Sequence, residues 1–534
     1  MTVILFSLGL VAGAQRNFDV LHYRFTIDLN DNNDTIIGMA QITCVAKEDL
    51  SELRFDLQGP KKDKGMMVLF VAFGLTGMND IPKYSELPKY YQENNQLIIP
   101  ANKTFKKGDT IHVNISYGGV PDDGLIISKN KYGDRTFFAD NWPNRAHHWI
   151  PCVDQPDDKA TFEFIVTAPV GFKVISNGIK REELAMGNGK KYTRWVENVS
   201  LPTKVMVIGV AKFAVKTYAD SPIGIPVSAW VYEQDSIPGF RNYSPSPAIL
   251  KFLIDYIGPY PYNKLANVQS KTIFGGMENA SCIFYEEMSA SSDDNVESLI
   301  AHETAHQWFG DMASEKSFPH LWLSEGFATY MTHLYLESKY GADSLNKRMK
   351  DDRQEIIDFA KQSNKTVVDS ISPLMGLLNT NSYQKGGWIL HMLRRQLGDS
   401  VFHRIIRKYY AAYAGGNADT RDFEKVCEAE SGKDLHVFFD QWLYSPGEPK
   451  IDVQWSYNEK TKTVAVNVKQ LQQNLFQFPL DIQLQTTSGS SQSQALNVTQ
   501  QSQQFTIQVK QKPVRLLLDP NVSLLFDGSA RMVK

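Results

Sequence analysis

The strongest chemical signal in the sequence is the run over residues 301–308, which contains two histidines four positions apart. If this run is helical, His302 and His306 lie on one face, one turn apart. Two imidazoles placed in this way can bind one zinc ion through nitrogen. Glu303, beside the first histidine, can then act as general base toward a water on the metal. The spacing therefore predicts a hydrolytic zinc site, and the alternative is a hydrogen-bonded pair of core histidines.

A catalytic zinc site usually takes three protein ligands and keeps one position open. Glu325, which follows His306 by nineteen residues, offers the third ligand. Apolar residues at helical spacing from Phe327 to Leu334 predict a second helix that begins near this glutamate. A helix, a short loop and an antiparallel helix would bring the carboxylate back to the histidines. We predict that His302, His306 and Glu325 bind one zinc ion.

Further motifs flank the two predicted helices. Gly-Gly-Met-Glu-Asn occupies residues 275–279, Gln-Trp-Phe-Gly-Asp follows the second histidine, and Ser-Tyr-Gln-Lys-Gly-Gly occupies residues 382–387. Together with His-Glu-x-x-His and the glutamate at 325, these motifs resemble those of the aminopeptidase N-like zinc metallopeptidases. That family consists of gluzincins with a thermolysin-like catalytic domain, and it includes the leukotriene hydrolase branch. The resemblance is specific over residues 258–447.

The resemblance implies a substrate site for peptides with a free N-terminus. Glu278 would anchor the substrate ammonium group through a charge-assisted hydrogen bond. Gly275 and Gly276 would pair with the peptide backbone, which glycines allow to approach closely. Met277 would help to shape the first side-chain pocket, and Asn279 completes the motif. The implied enzyme is a zinc aminopeptidase, a hydrolase that removes the N-terminal residue of a peptide.

The resemblance also implies two roles outside this motif. Tyr383 would donate its hydroxyl to the oxyanion of the tetrahedral intermediate. Residues 139–142 and 151–156 resemble the end of the family's N-terminal β domain, where Asp140 would be the counterpart of a residue that touches the substrate amine. The alternative for Asp140 is a solvated loop carboxylate.

Other functions remain open at this stage. An epoxide hydrolase of the leukotriene hydrolase type would use the same zinc, and residues 442–447 also resemble that branch. A zinc-containing binding protein without turnover would be expected to lack Glu303 or Tyr383, and both are present. An endopeptidase is disfavoured by Glu278, which sets the register of a free N-terminus.

The hydrophobic pattern predicts the elements that position these residues. Residues 15–212 show period-2 alternation, as at Tyr23, Phe25 and Ile27, and apolar β-type runs such as residues 205–208. Residues 213–447 begin with strand-like runs and continue into long helical patterns from about residue 296. A Pro- and Gly-containing linker follows at 445–449, and residues 450–534 alternate Gln and Ser with Val, Ile and Leu.

The predicted fold class is therefore a multidomain α+β protein. An N-terminal antiparallel β domain spans residues 15–212, and a thermolysin-like α/β catalytic domain with a mostly helical second half spans residues 213–447. A small C-terminal β-sandwich spans residues 450–534. Many members of the family carry a large helical C-terminal domain in place of such a sandwich.

Composition and charge restrict the class of protein. The 534 residues are 42% hydrophobic and 22% charged with a net charge of −3, which is globular and gives no support to nucleic-acid binding. Four scattered cysteines argue against a disulfide framework and against a thiolate zinc site. No apolar run reaches 18 residues, so no transmembrane segment is expected. The oligomeric state stays open.

The N-terminus carries a possible export signal. An apolar run over residues 3–11 is followed by small residues at 12–14, which predicts a signal peptide over residues 1–14. The protein would then be periplasmic or extracellular. The alternative is a buried first strand, in which case the protein would be cytoplasmic.

Overall fold

The computed structural model describes residues 16–74, 88–293 and 295–533. The chain divides into two compact units. The N-terminal unit comprises the described residues up to 129 together with residues 133–211, and the C-terminal unit comprises residues 130–132 and 212–534. The predicted signal peptide at residues 1–14 lies outside the described residues and stays a prediction.

Strands build the N-terminal unit, and they form sheets of seven, four and three strands. In spatial order these sheets are β12-β13-β10-β1-β2-β7-β4, β11-β14-β9-β8 and β3-β6-β5. The strands are β1 (Phe18–Asp28), β2 (Ile36–Ala46), β3 (Leu50–Asp56), β4 (Gly65–Phe73), β5 (Tyr91–Glu93), β6 (Gln96–Phe105), β7 (Thr110–Val120), β8 (Leu125–Lys129), β9 (Arg135–Ala139), β10 (Ala160–Pro169), β11 (Lys173–Ser176), β12 (Ile179–Ala185), β13 (Lys190–Leu201) and β14 (Ile208–Ala211).

The alternating sequence pattern explains how the largest sheet folds. In β1 the side chains of Tyr23, Phe25 and Ile27 are buried, and the residues between them are partly exposed. Strands β1 and β10 pair in parallel, whereas the other strand pairs of this sheet are antiparallel. The predicted N-terminal β domain is confirmed, with one parallel pair inside it.

One predicted strand-like run is wrong. Residues 203–205 form a 3₁₀ turn, and strand β14 begins only at Ile208. Two buried asparagines bond the backbone of this run in place of a neighbouring strand. Asn141 donates to the carbonyls of residues 203 and 206, and Asn177 bonds the carbonyl of residue 205 and the N–H of residue 207. The run is apolar because it is buried, and this burial does not require a strand.

The first part of the C-terminal unit joins a small sheet to a large set of helices, as predicted for a thermolysin-like domain. Its five-stranded sheet has the order β15-β16-β17-β19-β18, with β18 at one edge. The elements are β15 (Phe213–Thr217), β16 (Val227–Tyr232), α1 (Ser236–Asn242), α2 (Ser246–Tyr256), β17 (Leu265–Gln269), β18 (Gly276–Met277), β19 (Cys282–Tyr285), α3 (Glu297–His306), β20 (Ser314–Glu315), α4 (Trp322–Tyr340), α5 (Ala342–Ala360), α6 (Gly386–Leu397), α7 (Asp399–Tyr413), β21 (Asn417–Ala418), α8 (Thr420–Ser431) and α9 (His436–Leu443).

The last part of this unit is built from two sheets, of order β26-β23-β22-β28 and β25-β24-β27. In β23 the three valines are buried and the residues between them are exposed to different degrees. In β24 the partly exposed Gln483 and Gln485 alternate with the buried Ile482 and Leu484, as the sequence predicts. The strands are β22 (Lys450–Asn458), β23 (Thr463–Gln470), β24 (Phe478–Thr486), β25 (Ser491–Val498), β26 (Ser502–Gln508), β27 (Pro513–Leu518) and β28 (Asp527–Met532).

Two further features complete the fold. All four cysteines are buried and free. Among the described residues, no helix is both long and apolar enough to cross a membrane.

The connection from β27 to β28 docks onto helices α5 and α6. Arg353 of α5 donates to the buried carboxylate of Asp519 and, at 2.6 Å, to the carbonyl of Leu524. Its guanidinium also lies over the rings of Trp388 and Phe526, at 5.0 and 4.8 Å from their centroids. One arginine thus joins the catalytic helices to the C-terminal sheets through a buried ion pair and two cation–π contacts.

We predict that Arg353→Met lowers the free energy of unfolding by about 3–5 kcal/mol, because Asp519 stays buried without its charge partner. Urea unfolding followed by tryptophan fluorescence measures this loss. The control is Lys347→Met on the same helix, where the ion pair with Asp351 is exposed and worth less than about 0.5 kcal/mol. Equal losses for the two variants would contradict the assigned importance of Arg353.

Candidate metal centre and active site

Helices α3 and α4 bring three metal-binding side chains to one point. The Nε2 atoms of His302 and His306 lie 3.1 Å apart, and they lie 3.3 and 3.2 Å from Oε2 of Glu325. His306 and Glu325 are buried, and His302 is 19% exposed in its side chain. Among the described residues this is the one cluster of histidine, cysteine and carboxylate side chains with the spacing of a metal site.

The hydrogen bonds of His306 determine which of its nitrogens is free for a metal. Its Nδ1 lies 3.1 Å from the carbonyl of Phe309 and 3.0 Å from Oγ of Ser324. A carbonyl only accepts, so Nδ1 carries a proton and Nε2 is the nitrogen left for a metal. Nε2 faces the carboxylate of Glu325, and this contact is favourable when either a proton or a metal ion lies between the two atoms. The three atoms lie 3.1–3.3 Å apart, close to the separation of about 3.3–3.4 Å that tetrahedral ligands of zinc have at bonds of about 2.0–2.1 Å.

A glycine makes room for the contact between Ser324 and His306. Gly310 has φ of +120°, and a Cβ atom there would overlap Oγ of Ser324 and lie 3.1 Å from Nδ1 of His306. Both the backbone conformation and the close approach therefore require glycine at this position.

Glu303 lies against the edge strand β18. Its side chain is buried, and a Cβ atom on Gly276 would overlap its carboxylate. Burial raises the pKa of Glu303 well above the usual carboxyl value, and the charges of Glu278 and Glu325 act in the same direction. A carboxyl group with a raised pKa is suited to accept and then release a proton.

The residues of the Gly-Gly-Met-Glu-Asn motif lie on and directly after the edge strand. Gly276 and Met277 pair with β19, and Gly275 precedes them. Glu278 is 4% exposed, and Asn279 is fully buried. The motif therefore runs alongside the metal-site helix α3.

Gln307, directly after the second histidine, holds the turn that follows this motif. Its Nε2 donates to the carbonyl of Glu278 at 2.6 Å, and its Oε1 accepts from the N–H of Ser281 at 2.6 Å. Ser281 has φ of +60°, a conformation that a non-glycine residue rarely adopts. One amide side chain on the metal-site helix thus fixes the turn behind Glu278.

Tyr383 reaches the site from a single π-helical turn, Asn381–Lys385, that precedes α6. Its ring stacks on the imidazole of His302 with centroids 5.9 Å apart. Burial raises the pKa of Tyr383 well above its usual value, and the carboxylates of Glu325, Glu278 and Glu303 add to this effect. The phenol is therefore kept protonated, as a hydrogen-bond donor.

Two glycines set the distance between Tyr383 and the metal-site helices. A Cβ atom on Gly326 would lie 2.8 Å from Cα of Gly386, and one on Gly386 would lie 2.9 Å from Cα of Gly326. Gly326 follows Glu325 on α4, and Gly386 begins α6. The backbones of α4 and α6 therefore touch at these two glycines, next to Glu325 on one side and next to the π-helical turn of Tyr383 on the other.

Asp140 belongs to the N-terminal unit, whereas every other predicted site residue belongs to the C-terminal unit. Its side chain is fully buried and pairs with Arg145. It is therefore not a solvated loop carboxylate, and its contact with a substrate amine stays a prediction.

Sequence reasoning did not assign a role to Ser324, Gln307, Gly310 or the glycine pair. Each of them contacts or positions a residue that the sequence did predict for the site. Ser324 and Gln307 are polar residues in otherwise apolar stretches, and each is directly beside a predicted metal ligand. This placement could have indicated their supporting role from the sequence. Glycine contacts between distant segments leave no such local trace.

We predict that Ser324→Ala weakens metal affinity by about 10- to 100-fold, because supports of a ligating histidine typically have effects of this size. Competition with a chromophoric chelator measures the affinity. Ser338→Ala on the same helix is the control, since its hydroxyl bonds the carbonyl of Tyr335 away from the site. A metal affinity of Ser324→Ala equal to that of the control would refute the support role.

Two family models match the chain. The peptidase M1 N-terminal domain matches residues 20–205, and the peptidase family M1 domain matches residues 244–442. Among curated proteins, the chain is 28% identical to Aminopeptidase M1 of Arabidopsis thaliana over 327 residues, 58% of this chain and 37% of that protein. It is 28% identical to the Tricorn protease-interacting factor F2 of Thermoplasma acidophilum over 422 residues, 74% of this chain and 52% of that protein.

A solved structure shares the fold. The crystal structure of Legionella pneumophila aminopeptidase A in complex with aspartic acid matches with a TM-score of 0.81 and 17% identity, over 96% of this chain and 60% of that chain. Across these comparisons the chain spans 37 to 60% of the length of the proteins that it matches.

These comparisons confirm the multidomain α+β fold and the family predicted from the motifs. The family models cover both the strand-rich N-terminal unit and the helices that carry the metal cluster. The chain therefore belongs to peptidase family M1, the aminopeptidase N-like metallopeptidases.

Proposed function

We propose that the chain is a zinc-dependent aminopeptidase that removes single residues from the N-terminus of peptides. The observation that carries the proposal is the convergence of His302, His306 and Glu325, with Glu303 buried beside them. Two imidazoles and one carboxylate are the ligand set of hydrolytic zinc sites that keep a position open for water. The curated relatives named as aminopeptidases support the same activity.

The chain's own residues divide the work of peptide hydrolysis. Zinc, when bound, supplies Lewis acidity and lowers the pKa of water. The carboxylate of Glu303 accepts the proton of the attacking water and delivers it to the leaving amine. The phenol of Tyr383 donates a hydrogen bond to the carbonyl oxygen as negative charge develops there. The raised pKa of each group suits its role, since Glu303 must hold a proton transiently and Tyr383 must keep its own.

The restriction to N-terminal residues would come from Glu278. Its carboxylate is buried at the end of the edge strand, where it can form a charge-assisted bond with a substrate ammonium group. A peptide can extend the sheet beside Gly275 and Gly276, because among the described strands β18 pairs with β19 alone. Met277 and Asn279 then lie next to the first substrate residue.

Hydrolysis of a panel of aminoacyl-arylamides, each paired with its N-acetylated form, tests the proposal. We expect cleavage of the free-amine compounds only, and we expect a zinc chelator to abolish it. Glu303→Gln controls for contaminating peptidases and should keep its zinc while losing about 10²- to 10⁴-fold in kcat. Equal cleavage of acetylated compounds would indicate an endopeptidase. A zinc-loaded, folded protein that cleaves neither form would refute the proposal and favour the epoxide hydrolase or the binding protein.

We predict that Glu278→Gln lowers kcat/KM for free-amine substrates by about 10- to 100-fold, because a hydrogen bond to a charged group contributes about 1.5–3 kcal/mol. The ratio of free to acetylated cleavage should fall with it. Glu355→Gln, on the exposed face of α5, is the control and should leave the ratio unchanged. If the ratio for Glu278→Gln equals that of the wild type, another group binds the ammonium.

A further inference from the structure

Two charged side chains are buried close to the turn that carries Tyr383. Lys385 and Glu448 are each 1% exposed. Nζ of Lys385 donates to the carbonyl of Gly447 at 2.7 Å. Neither carboxylate oxygen of Glu448 has a hydrogen-bond partner within the described parts of the chain. Both residues at 447 and 448 lie in the segment between α9 and β22.

The burial of this pair requires an explanation, because burying charged groups costs free energy unless the two charges compensate one another. Burial lowers the pKa of Lys385 to about 8, and the charge of Glu448 opposes this shift. Burial raises the pKa of Glu448, and Lys385 is the charge that opposes that shift most strongly. Each side chain therefore stabilises the charged form of the other. A methionine and a glutamine of similar size would avoid the cost of burying two charges.

The position of Lys385 suggests what the pair does. Lys385 is the last residue of the π-helical turn, two residues after Tyr383, and its N–H bonds the carbonyl of Thr380 at 3.0 Å. The next residue, Gly386, packs directly against Gly326 of α4. The turn is thus fixed against the metal-site helix at Gly386 and against the segment before β22 at Lys385. π-helical turns are less regular than α-helix, and they are held in place by their surroundings.

We propose that Lys385 is a positioning residue, which holds the π-helical turn so that the hydroxyl of Tyr383 points at the reacting carbonyl. The ammonium group does so through its bond to Gly447 and its charge balance with Glu448. No proton is transferred by either group. The inference rests on the proposed aminopeptidase function, within which Tyr383 stabilises the oxyanion.

The first measurement is the kinetics of Lys385→Met, which keeps the unbranched side chain up to its fourth heavy atom and removes the charged ammonium group. We expect kcat to fall by about 10- to 100-fold, because a shift of about 1 Å at a catalytic group can cost this much. KM and zinc content should stay near the wild-type values. Lys347→Met is the matched control, since Lys347 is an exposed lysine of the same unit whose ion pair is with Asp351 on the same helix. A kcat for Lys385→Met equal to that of this control would overturn the proposal.

A double-mutant cycle with Tyr383→Phe separates positioning from general structural damage. If Lys385 acts through the phenol, Lys385→Met should change kcat by less than about twofold once the hydroxyl is absent. If Lys385→Met lowers kcat by the same factor in both backgrounds, Lys385 does not act through Tyr383 and the proposal is overturned.

Glu448→Gln provides a second variant if Lys385→Met does not fold. It keeps the side-chain volume and the Gly447 carbonyl, and it removes the charge that balances the ammonium group. We expect kcat to fall in the wild-type background and to stay within about twofold in Tyr383→Phe. Equal decreases in both backgrounds would again overturn the proposal.

A structural readout separates this inference from the proposed function. With 3-fluorotyrosine placed at position 383, the fluorine resonance should move in Lys385→Met and should keep its wild-type position in Lys347→Met. This result is expected even if the wild-type protein cleaves no arylamide, which would count against the aminopeptidase function alone. An unchanged resonance in a folded Lys385→Met variant would overturn the positioning role.

Discussion

The site depends on holding three acceptor atoms against their mutual repulsion. The two Nε2 atoms and one carboxylate oxygen lie within 3.3 Å of one another, in a region from which water is mostly excluded. Such atoms separate unless the surrounding structure holds them or a cation joins them. Helices α3 and α4 supply this constraint, and both are tied at more than one point. Glu297, at the start of α3, accepts hydrogen bonds from Tyr335 and Tyr340 near the end of α4. The ligands are thus preorganised before a metal binds, which lowers the cost of binding it.

The same region accumulates negative charge, and this explains the chemistry that it favours. Glu278, Glu303 and Glu325 are all buried, and their charges raise the pKa of Tyr383 together. A site with three buried carboxylates is suited to two positive groups, a divalent metal ion and a substrate ammonium group. Glu325 faces the histidines, whereas Glu278 follows the edge strand. A metal ion would therefore have its partners on the helices, and a positive group of a substrate would have its partner at the sheet edge.

Local sequence patterns were sufficient to predict which side chains converge at the metal cluster, and insufficient to predict the residues that support them. The spacing of His302 and His306 defines a helix face, and the alternation in β1 defines a sheet face, because both depend on near neighbours in sequence. The run at residues 205–208 misled because Asn141 and Asn177 bond its backbone from far away in the chain. The bond from Lys385 to Gly447 spans 62 residues and involves a carbonyl, which every residue possesses. No local pattern marks such a contact.

The C-terminal sheets contact the helix that follows Tyr383 in the chain. Helix α6 begins directly after the tyrosine turn, and His391 on this helix bonds the carbonyl of Val522 at 2.7 Å. Val522 has φ of +54°, which is strained for a β-branched residue and persists only where its surroundings impose it. The connection between β27 and β28 thus holds a strained residue where it meets α6. Lys385, directly before α6, bonds the carbonyl of Gly447 in the segment before β22. Tyr383 is therefore followed by a residue that bonds the segment before the C-terminal sheets, and by a helix that bonds the connection within them. Through these two contacts, the C-terminal sheets and the segment before them support the turn that carries Tyr383.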